Sequence, residues 1–137
     1  MNKEKYLRKI QEKFFLKKGQ FRVSYCWISN YQIKLFHVKT LKHFREFVEP
    51  LNFMDDYCGY LLKPQFIFEL KKNQINFDIV VLNQNLKISK LYPNCQKNFK
   101  LNMMTEPKAI LILNENSISF LKMKVDDVLK LSKNNFN

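Results

Sequence analysis

The most restrictive feature of the sequence is an almost continuously apolar run at residues 75–82, interrupted only by Asn76 and Asp78. A short run of this kind is typical of a strand that is buried on both faces. Apolar and polar residues alternate before it, over residues 66–71, and after it, over residues 86–89. Asn83 and Asn85 separate the last two segments, and Asn suits tight turns because it tolerates positive φ. The stretch therefore predicts two strands and a hairpin that leads into a third.

Other segments predict further strands and two short helices. Alternation or short apolar runs predict strands at residues 21–25, 33–38, 58–62 and 109–113. Helices are predicted at residues 41–49, which Thr40 can cap, and at residues 117–121. Residues 125–131 fit either a strand after a turn or a helix. The pattern predicts an α+β fold that is mostly β.

The N-terminal segment has a helical pattern of its own. Leu7, Ile10 and Phe14 are spaced by three and four residues among basic side chains, and Gly19 ends the pattern. We expect a basic amphipathic helix over residues 1–19, a single β-rich domain over residues 20–131, and a tail at residues 132–137. The apolar stripe fits either packing on its own domain or docking to a partner protein.

The charge is strongly basic, with 24 Lys and Arg against 12 Asp and Glu among 137 residues, a net charge of +12. One interpretation is an anionic partner such as RNA or a ribonucleoprotein. The other is a coding bias that enriches Lys, Asn, Ile and Phe. Only three of the basic residues are Arg, which disfavours bidentate reading of bases. The candidate anion-binding residues are Lys17, Lys18, Lys71, Lys72, Lys97 and Lys100.

Cysteine usage predicts a reduced, cytoplasmic protein. Cys26, Cys58 and Cys95 are odd in number and show no metal-binding spacing. No apolar window reaches transmembrane length. His37 and His43 lack neighbouring ligand residues in sequence, so we expect neither a metal nor a cofactor. No catalytic motif is present, and the sequence leaves enzymatic activity undecided, with a preference against it.

Two segments resemble a known family. Residues 68–83 follow, without a gap, the pattern F-W-M-K-N-T-x-I-P-L-D-I-x-F-L-D of the uncharacterised-ACR family, domain of unknown function 192. Six positions are identical: Phe68, Lys71, Ile75, Asp78, Ile79 and Leu82. Residues 114–129 resemble the family's closing pattern, with agreement at Leu121, Lys124, Val125, Asp127 and Leu129.

Several positions depart from the family patterns. Asn116, Lys122 and Asp126 stand where the family has glycines, and Asn and Asp accept left-handed geometry best among other residues. In the first pattern, Glu69 replaces the family's Trp and Asn76 its Pro. The resemblance covers residues 33–131 and implies a compact, mostly antiparallel β-barrel or β-sandwich. It carries over no established activity.

Three functions fit these observations. The leading hypothesis is a non-catalytic module that binds RNA or a ribonucleoprotein through a Lys-rich face, with Tyr60 and Tyr92 as nearby aromatic residues. The second is a subunit that docks to a larger assembly through its N-terminal helix. The third is a small-ligand barrel or enzyme with a pocket near Lys71 and Asp78.

Overall fold

Nine strands and two short helices form the part of the chain that the computed structural model describes, which is residues 22–49, 57–63, 66–71, 73, 75–103 and 107–132. The strands are β1 (Val23–Ile28), β2 (Tyr31–Val38), β3 (Cys58–Leu62), β4 (Ile67–Glu69), β5 (Phe77–Leu82), β6 (Ile88–Cys95), β7 (Lys100–Asn102), β8 (Ala109–Asn114) and β9 (Lys130–Ser132). Helix α1 (Leu41–His43) continues into a π-helical segment (Phe44–Val48), and α2 is Ser117–Phe120.

Seven strands form one sheet in the order β6-β5-β8-β3-β2-β1-β9, while β4 and β7 form a separate two-stranded ribbon. Within the large sheet only the β2–β3 pair is parallel. The sheet curls into a half-barrel. The segment after α2 crosses its open side, because Val128 bridges Lys87 before β9 pairs with β1. The prediction of a mostly antiparallel α+β fold with short helices is confirmed at this level.

The curled sheet has a hydrophobic core on each face. Successive side chains of a strand point to opposite faces, so β5 supplies Ile79 to one core and Val80 to the other. All six residues of β5 are buried, which confirms the prediction for the apolar run. β8 behaves in the same way, with Ile110 in the first core and Leu111 in the second.

The first of these predicted strands, β4, pairs outside the large sheet. β4 does not form a hairpin with β5; it pairs with β7, where Phe68 lies opposite Leu101. β5 instead lies between β6 and β8, since a strand buried on both faces needs a partner along each edge. The turn at Asn83 to Asn85 therefore joins β5 to β6, as the sequence indicates.

The remaining local predictions hold where the structure describes them. The Thr40 hydroxyl accepts a hydrogen bond from the His43 amide at 3.0 Å and caps α1. Of the two alternatives for residues 125–131, the structure has turns, a bridge at Val128 and then β9, with no helix. The predicted N-terminal helix at residues 1–19, with Leu7, Ile10 and Phe14, and the tail at 133–137 lie outside the described residues and stay predictions.

Among the described residues, eight non-glycine residues have a positive φ, and three of them lie in or next to the turns after β8. Asn116, Lys122 and Asp126 have φ angles of 71°, 54° and 78°. Positive φ is adopted at no steric cost by glycine and less readily by other residues. These are the three positions at which the resembled family has glycine.

Asp78 joins three segments that are distant in sequence. Its side chain is fully buried, and its carboxylate accepts hydrogen bonds from the amides of Asn94, Asn116 and Ile118 at 2.8, 3.2 and 2.7 Å. The Asn116 and Ile118 amides belong to the first turn of α2, where amides lack partners within the helix. Asp78 therefore caps α2 from a neighbouring strand, because the Asn116 side chain makes no capping bond.

A bulge in β6 supplies the remaining amide. Phe77 pairs with Cys95 and Ile79 with Tyr92, so Pro93 and Asn94 together face Asp78. Asn94 has a φ of 53°, and its amide points to the carboxylate instead of a ladder partner. Proline is tolerated here because β6 is an edge strand of the sheet.

Replacing the Asp78 carboxylate should destabilise the fold. We expect Asp78→Asn to lower the free energy of unfolding by roughly 3 kcal/mol, because an amide replaces a buried charge and turns one acceptor into a donor. Asp126→Asn makes the same chemical change at an exposed turn and should cost less than about 0.5 kcal/mol. Denaturant unfolding measures both, and faster amide exchange at Asn94 and Ile118 is the local signature. Equal stabilities for the two variants would contradict the role of Asp78.

Candidate functional site

Three of the predicted basic residues come together at the β4–β7 ribbon. Lys100 lies directly opposite Glu69 in the pairing of the two strands, and Lys71 follows β4. The turn that carries Lys97 is held to the same place, since the Asn98 amide donates to the Leu70 carbonyl at 2.9 Å. Lys71, Lys97 and Lys100 are all exposed, and together they define the ribbon surface. Lys17, Lys18 and Lys72 lie outside the described residues.

Glu69 is an acidic residue within this basic surface. It forms ion pairs with Arg45 and with Lys71, the latter at 3.5 Å between Nζ and Oε1. The hydrogen bond from Arg45 is the main cause that lowers the pKa of Glu69 below its usual range. Glu69 therefore stays ionised at neutral pH and is compensated by Arg45.

Glu49 fixes the backbone beside Lys71. Its side chain is fully buried, and Oε1 accepts hydrogen bonds from the amides of Lys71 and Asn73, the second at 3.1 Å. Asn73 is buried as well, and its side-chain amide donates to the Ile75 carbonyl at 2.7 Å. A buried carboxylate thus holds the segment that follows β4, and the Lys71 side chain projects from a fixed backbone.

The structure does not bring Lys71 and Asp78 together. Asp78 bonds three backbone amides inside the fold, whereas Lys71 is exposed and pairs with Glu69. Neither residue lines the two cavities described below. The hydrogen-bond partners of Asp78 lie 16 to 40 residues away in the sequence.

The other residues singled out by the sequence take part in core packing, in an aromatic contact or in a turn. Phe68 is fully buried in the first core, and so is Tyr60, which removes Tyr60 from any base-stacking role. The Tyr92 ring packs on Phe99 with centroids 5.5 Å apart, beside the turn that carries Lys97. The Asp127 carboxylate accepts from the Lys124 amide at 2.9 Å and closes a turn.

A cleft of about 810 Å³ opens at one end of the half-barrel. Its rim carries four exposed cations, Arg22, Lys39, Lys63 and Lys108, which define the basic cleft. Among the described residues that line it, none is acidic. Apolar side chains form most of its wall: Val38, Leu61, Leu62, Leu86, Ala109 and Leu131.

Sheet topology explains why these four cations meet. Each stands immediately outside a strand: Arg22 and Lys108 precede β1 and β8, while Lys39 and Lys63 follow β2 and β3. β2 and β3 are parallel, and their outer neighbours β1 and β8 are antiparallel to them. The C-terminal ends of β2 and β3 and the N-terminal ends of β1 and β8 therefore lie at the same end of the sheet. The sequence shows that each of the four cations flanks a predicted strand. Only the strand order of the sheet shows that all four lie around one cleft.

A hydroxyl–imidazole pair lies next to the basic cleft. Ser24 Oγ and His37 Nε2 are 2.6 Å apart, and His37 lines the cleft wall. Burial, and then the nearby charge of Arg22, lower the pKa of His37 below its usual value of 6.5. Within the described residues no carboxylate contacts this ring, so the pair lacks the acid that orients histidine in a Ser–His–Asp triad. At neutral pH His37 is a neutral hydrogen-bonding group.

A second cavity, of about 360 Å³, opens on the side of α2 and borders an exposed aromatic cluster. Tyr31 stacks on Tyr57 with centroids 5.5 Å apart and contacts Phe120 at 5.1 Å. Tyr57 and Phe120 line the cavity. Trp27, the only tryptophan, is 49% exposed on β1.

The cysteines form no disulfide, and burial raises the pKa of Cys26 and of Cys95 to about 12. These two thiols are protonated at neutral pH and are poor nucleophiles. The described residues contain no group of three or more His, Cys, Asp or Glu placed to hold a metal ion. They also contain no helix long and apolar enough to cross a membrane.

Two solved structures share this fold. A protein named as a candidate transcription regulator, from Sinorhizobium meliloti 1021, superposes with a TM-score of 0.68 at 13% identity, over 81% of this chain and 92% of its own. A protein of unknown function from Novosphingobium aromaticivorans DSM 12444 gives 0.66 at 16% identity, over 79% and 82%. No protein-family model and no curated protein matches the sequence.

The lowered pKa of His37 predicts that the protein loses stability as the pH is lowered below about 6.5. The unfolded chain binds a proton near pH 6.5, whereas the folded chain binds it only at lower pH. Stability is therefore present above 6.5 and is lost as the pH falls from there towards the folded pKa. We expect His37→Gln to flatten the decline in unfolding free energy between about pH 7.5 and about pH 5.5.

The matched control is His43→Gln, which removes the other histidine of the sequence. The difference between the two pH slopes in denaturant titrations isolates the contribution of His37. In NMR titrations, Arg22→Gln should raise the pKa of His37, because it removes a neighbouring positive charge. A His37 pKa at or above 6.5 in the wild-type protein would contradict this account.

Proposed function

We propose that the chain is a non-catalytic binding module for an anionic partner, RNA or a ribonucleoprotein, contacted through the ribbon surface. The observation that carries the proposal is the convergence of Lys71, Lys97 and Lys100 on one two-stranded ribbon. Lys71 is more than 20 residues from Lys97 and Lys100 in the sequence. The pairing of β4 with β7 and the hydrogen bond from the Asn98 amide to the Leu70 carbonyl nevertheless hold the three segments together. Exposed Lys side chains neutralise phosphates without reading bases.

Two neighbouring features support this use of the ribbon surface. Arg45 balances the charge of Glu69, so the surface keeps the net charge of the three lysines although Glu69 also pairs with Lys71. The Tyr92 and Phe99 rings pack next to the basic turn and give it a rigid base. The hydrogen bonds that the Lys71 and Asn73 amides donate to Glu49 hold the backbone at Lys71, which lowers the entropy lost on binding.

We also propose that the chain belongs to the uncharacterised-ACR family and acts in the cytoplasm. The positive φ angles of Asn116, Lys122 and Asp126 support the family proposal, since the family has glycine at these positions. The absence of disulfides among all three cysteines supports a reducing compartment. A protein partner for the N-terminal stripe of Leu7, Ile10 and Phe14 stays a prediction of the sequence alone.

The first test is binding of labelled single-stranded RNA and of an RNA duplex, titrated across salt. Lys71→Gln, Lys97→Gln and Lys100→Gln, combined, should weaken binding at least about tenfold at low salt. The slope of log affinity against log salt should fall by about 2 on single strands, because three phosphate contacts are lost.

The control combines Lys90→Gln, Lys124→Gln and Lys130→Gln, three exposed lysines away from the ribbon surface. It changes the net charge equally and should leave both affinity and salt slope near the wild-type values. Equal losses in the two triple variants would show that net charge alone attracts RNA. No binding even at low salt, where electrostatic contacts are strongest, would make the positive charge a feature of composition.

A further inference from the structure

The basic cleft combines two kinds of surface. Its wall is mainly apolar, formed by residues such as Leu61, Leu86 and Ala109, while its rim is cationic. The volume of about 810 Å³ is within the range of small-molecule sites, roughly 300–1,000 Å³. The cleft lies at the strand ends of the large sheet, apart from the ribbon.

We propose that the basic cleft binds an amphipathic anion, a carboxylate on an apolar chain, with the carboxylate at the cationic rim and the chain against the apolar wall. A hydrocarbon without charge would leave four cations without a counter-charge. A small hydrophilic anion would leave the apolar wall in water. Only a ligand that is anionic at one end and apolar along its length satisfies both surfaces.

Backbone hydrogen bonds fix the positions of three of the four rim cations. Arg22 and His37 are neighbours across the β1–β2 pair, where the His37 amide donates to the Arg22 carbonyl at 2.9 Å. Lys63 and Lys108 are held by backbone bonds to Val38 and Leu82, at 3.2 and 2.8 Å. The backbone positions of three cations are therefore fixed by the sheet, and their side chains have no acidic neighbour among the described residues that line the cleft.

Nucleic acid fits this cleft less well than it fits the ribbon surface. An extended phosphate backbone needs a charged surface along its length and stacking partners for its bases. The basic cleft is concave and aliphatic, and the described residues that line it include no Phe, Tyr or Trp. The experiment includes RNA as a competitor, so that binding of RNA at the cleft would be detected.

The experiment is calorimetric titration of the full chain with dodecanoate, kept below its micelle concentration. Dodecanol supplies the chain without the charge, and inorganic phosphate and acetate supply charge without the chain. We expect one dodecanoate per protein, and binding at least about tenfold weaker for the other three probes. NMR shifts on dodecanoate addition should concentrate at His37, Leu61 and Ala109, which line the cleft.

Charge variants locate the site. Lys39→Gln, Lys63→Gln and Lys108→Gln, combined, should weaken dodecanoate binding at least about tenfold and leave RNA binding at the ribbon surface unchanged. The control is again the combination of Lys90→Gln, Lys124→Gln and Lys130→Gln, which should bind dodecanoate like the wild type. Circular dichroism and unfolding curves establish that each variant is folded.

Three results would overturn the proposal. Equal affinity for dodecanol would remove the role of the cationic rim, and equal affinity for phosphate would remove the role of the apolar wall. Displacement of dodecanoate by RNA would make the cleft part of a nucleic-acid surface. The proposal is independent of RNA binding at the ribbon surface, because the two triple variants separate the two sites.

Discussion

The hydrogen bonds accepted by the buried carboxylate of Asp78 hold together the start of β5, the bulge in β6 and the start of α2. A buried charge is stable only when hydrogen bonds replace the water that it loses. Here three backbone amides do so, from the β6 bulge and from the start of α2. The bulge, the left-handed residues Asn94 and Asn116, and the start of α2 are therefore coupled to one side chain.

Glu49 uses the same kind of interaction next to the ribbon. Its carboxylate accepts hydrogen bonds from the amides of Lys71 and Asn73, which lie outside the strands. Irregular backbone next to a core needs such acceptors, since buried amides without partners are costly. Two buried acids thus shape the segments around the ribbon and around α2, which helps to explain acidic residues at buried positions of so basic a chain.

Much of the fold could be predicted from the sequence because its strongest signals are local. The apolar run that became β5, the Asn turn after it and the Thr40 cap each depend on a few adjacent residues. The pairing of β4 with β7 could not be predicted, since β4 is only three residues long and its partner begins 31 residues after its end. The alternation of apolar and polar residues in β4 does not show whether this strand pairs with the next strand in the sequence or with a distant one.

The candidate sites divide in the same way. Lys97 and Lys100 are close in sequence, so their proximity was visible before the structure, and Lys71 joined them through strand pairing. The basic cleft was missed, because Arg22, Lys39, Lys63 and Lys108 are isolated in sequence. Their convergence depends on which strands are parallel, and the single parallel pair decides it.

The bulged edge strand β6 has a consequence for how copies of this chain meet. An open sheet edge is a template onto which a strand from another molecule can add, which is a route to aggregation. At one edge, Pro93 offers no amide, the bulge bends the strand, and Lys90 adds charge. At the other edge, β9 is only three residues long. In the part of the chain that the structure describes, the large sheet thus presents no long, regular edge for a second copy to extend.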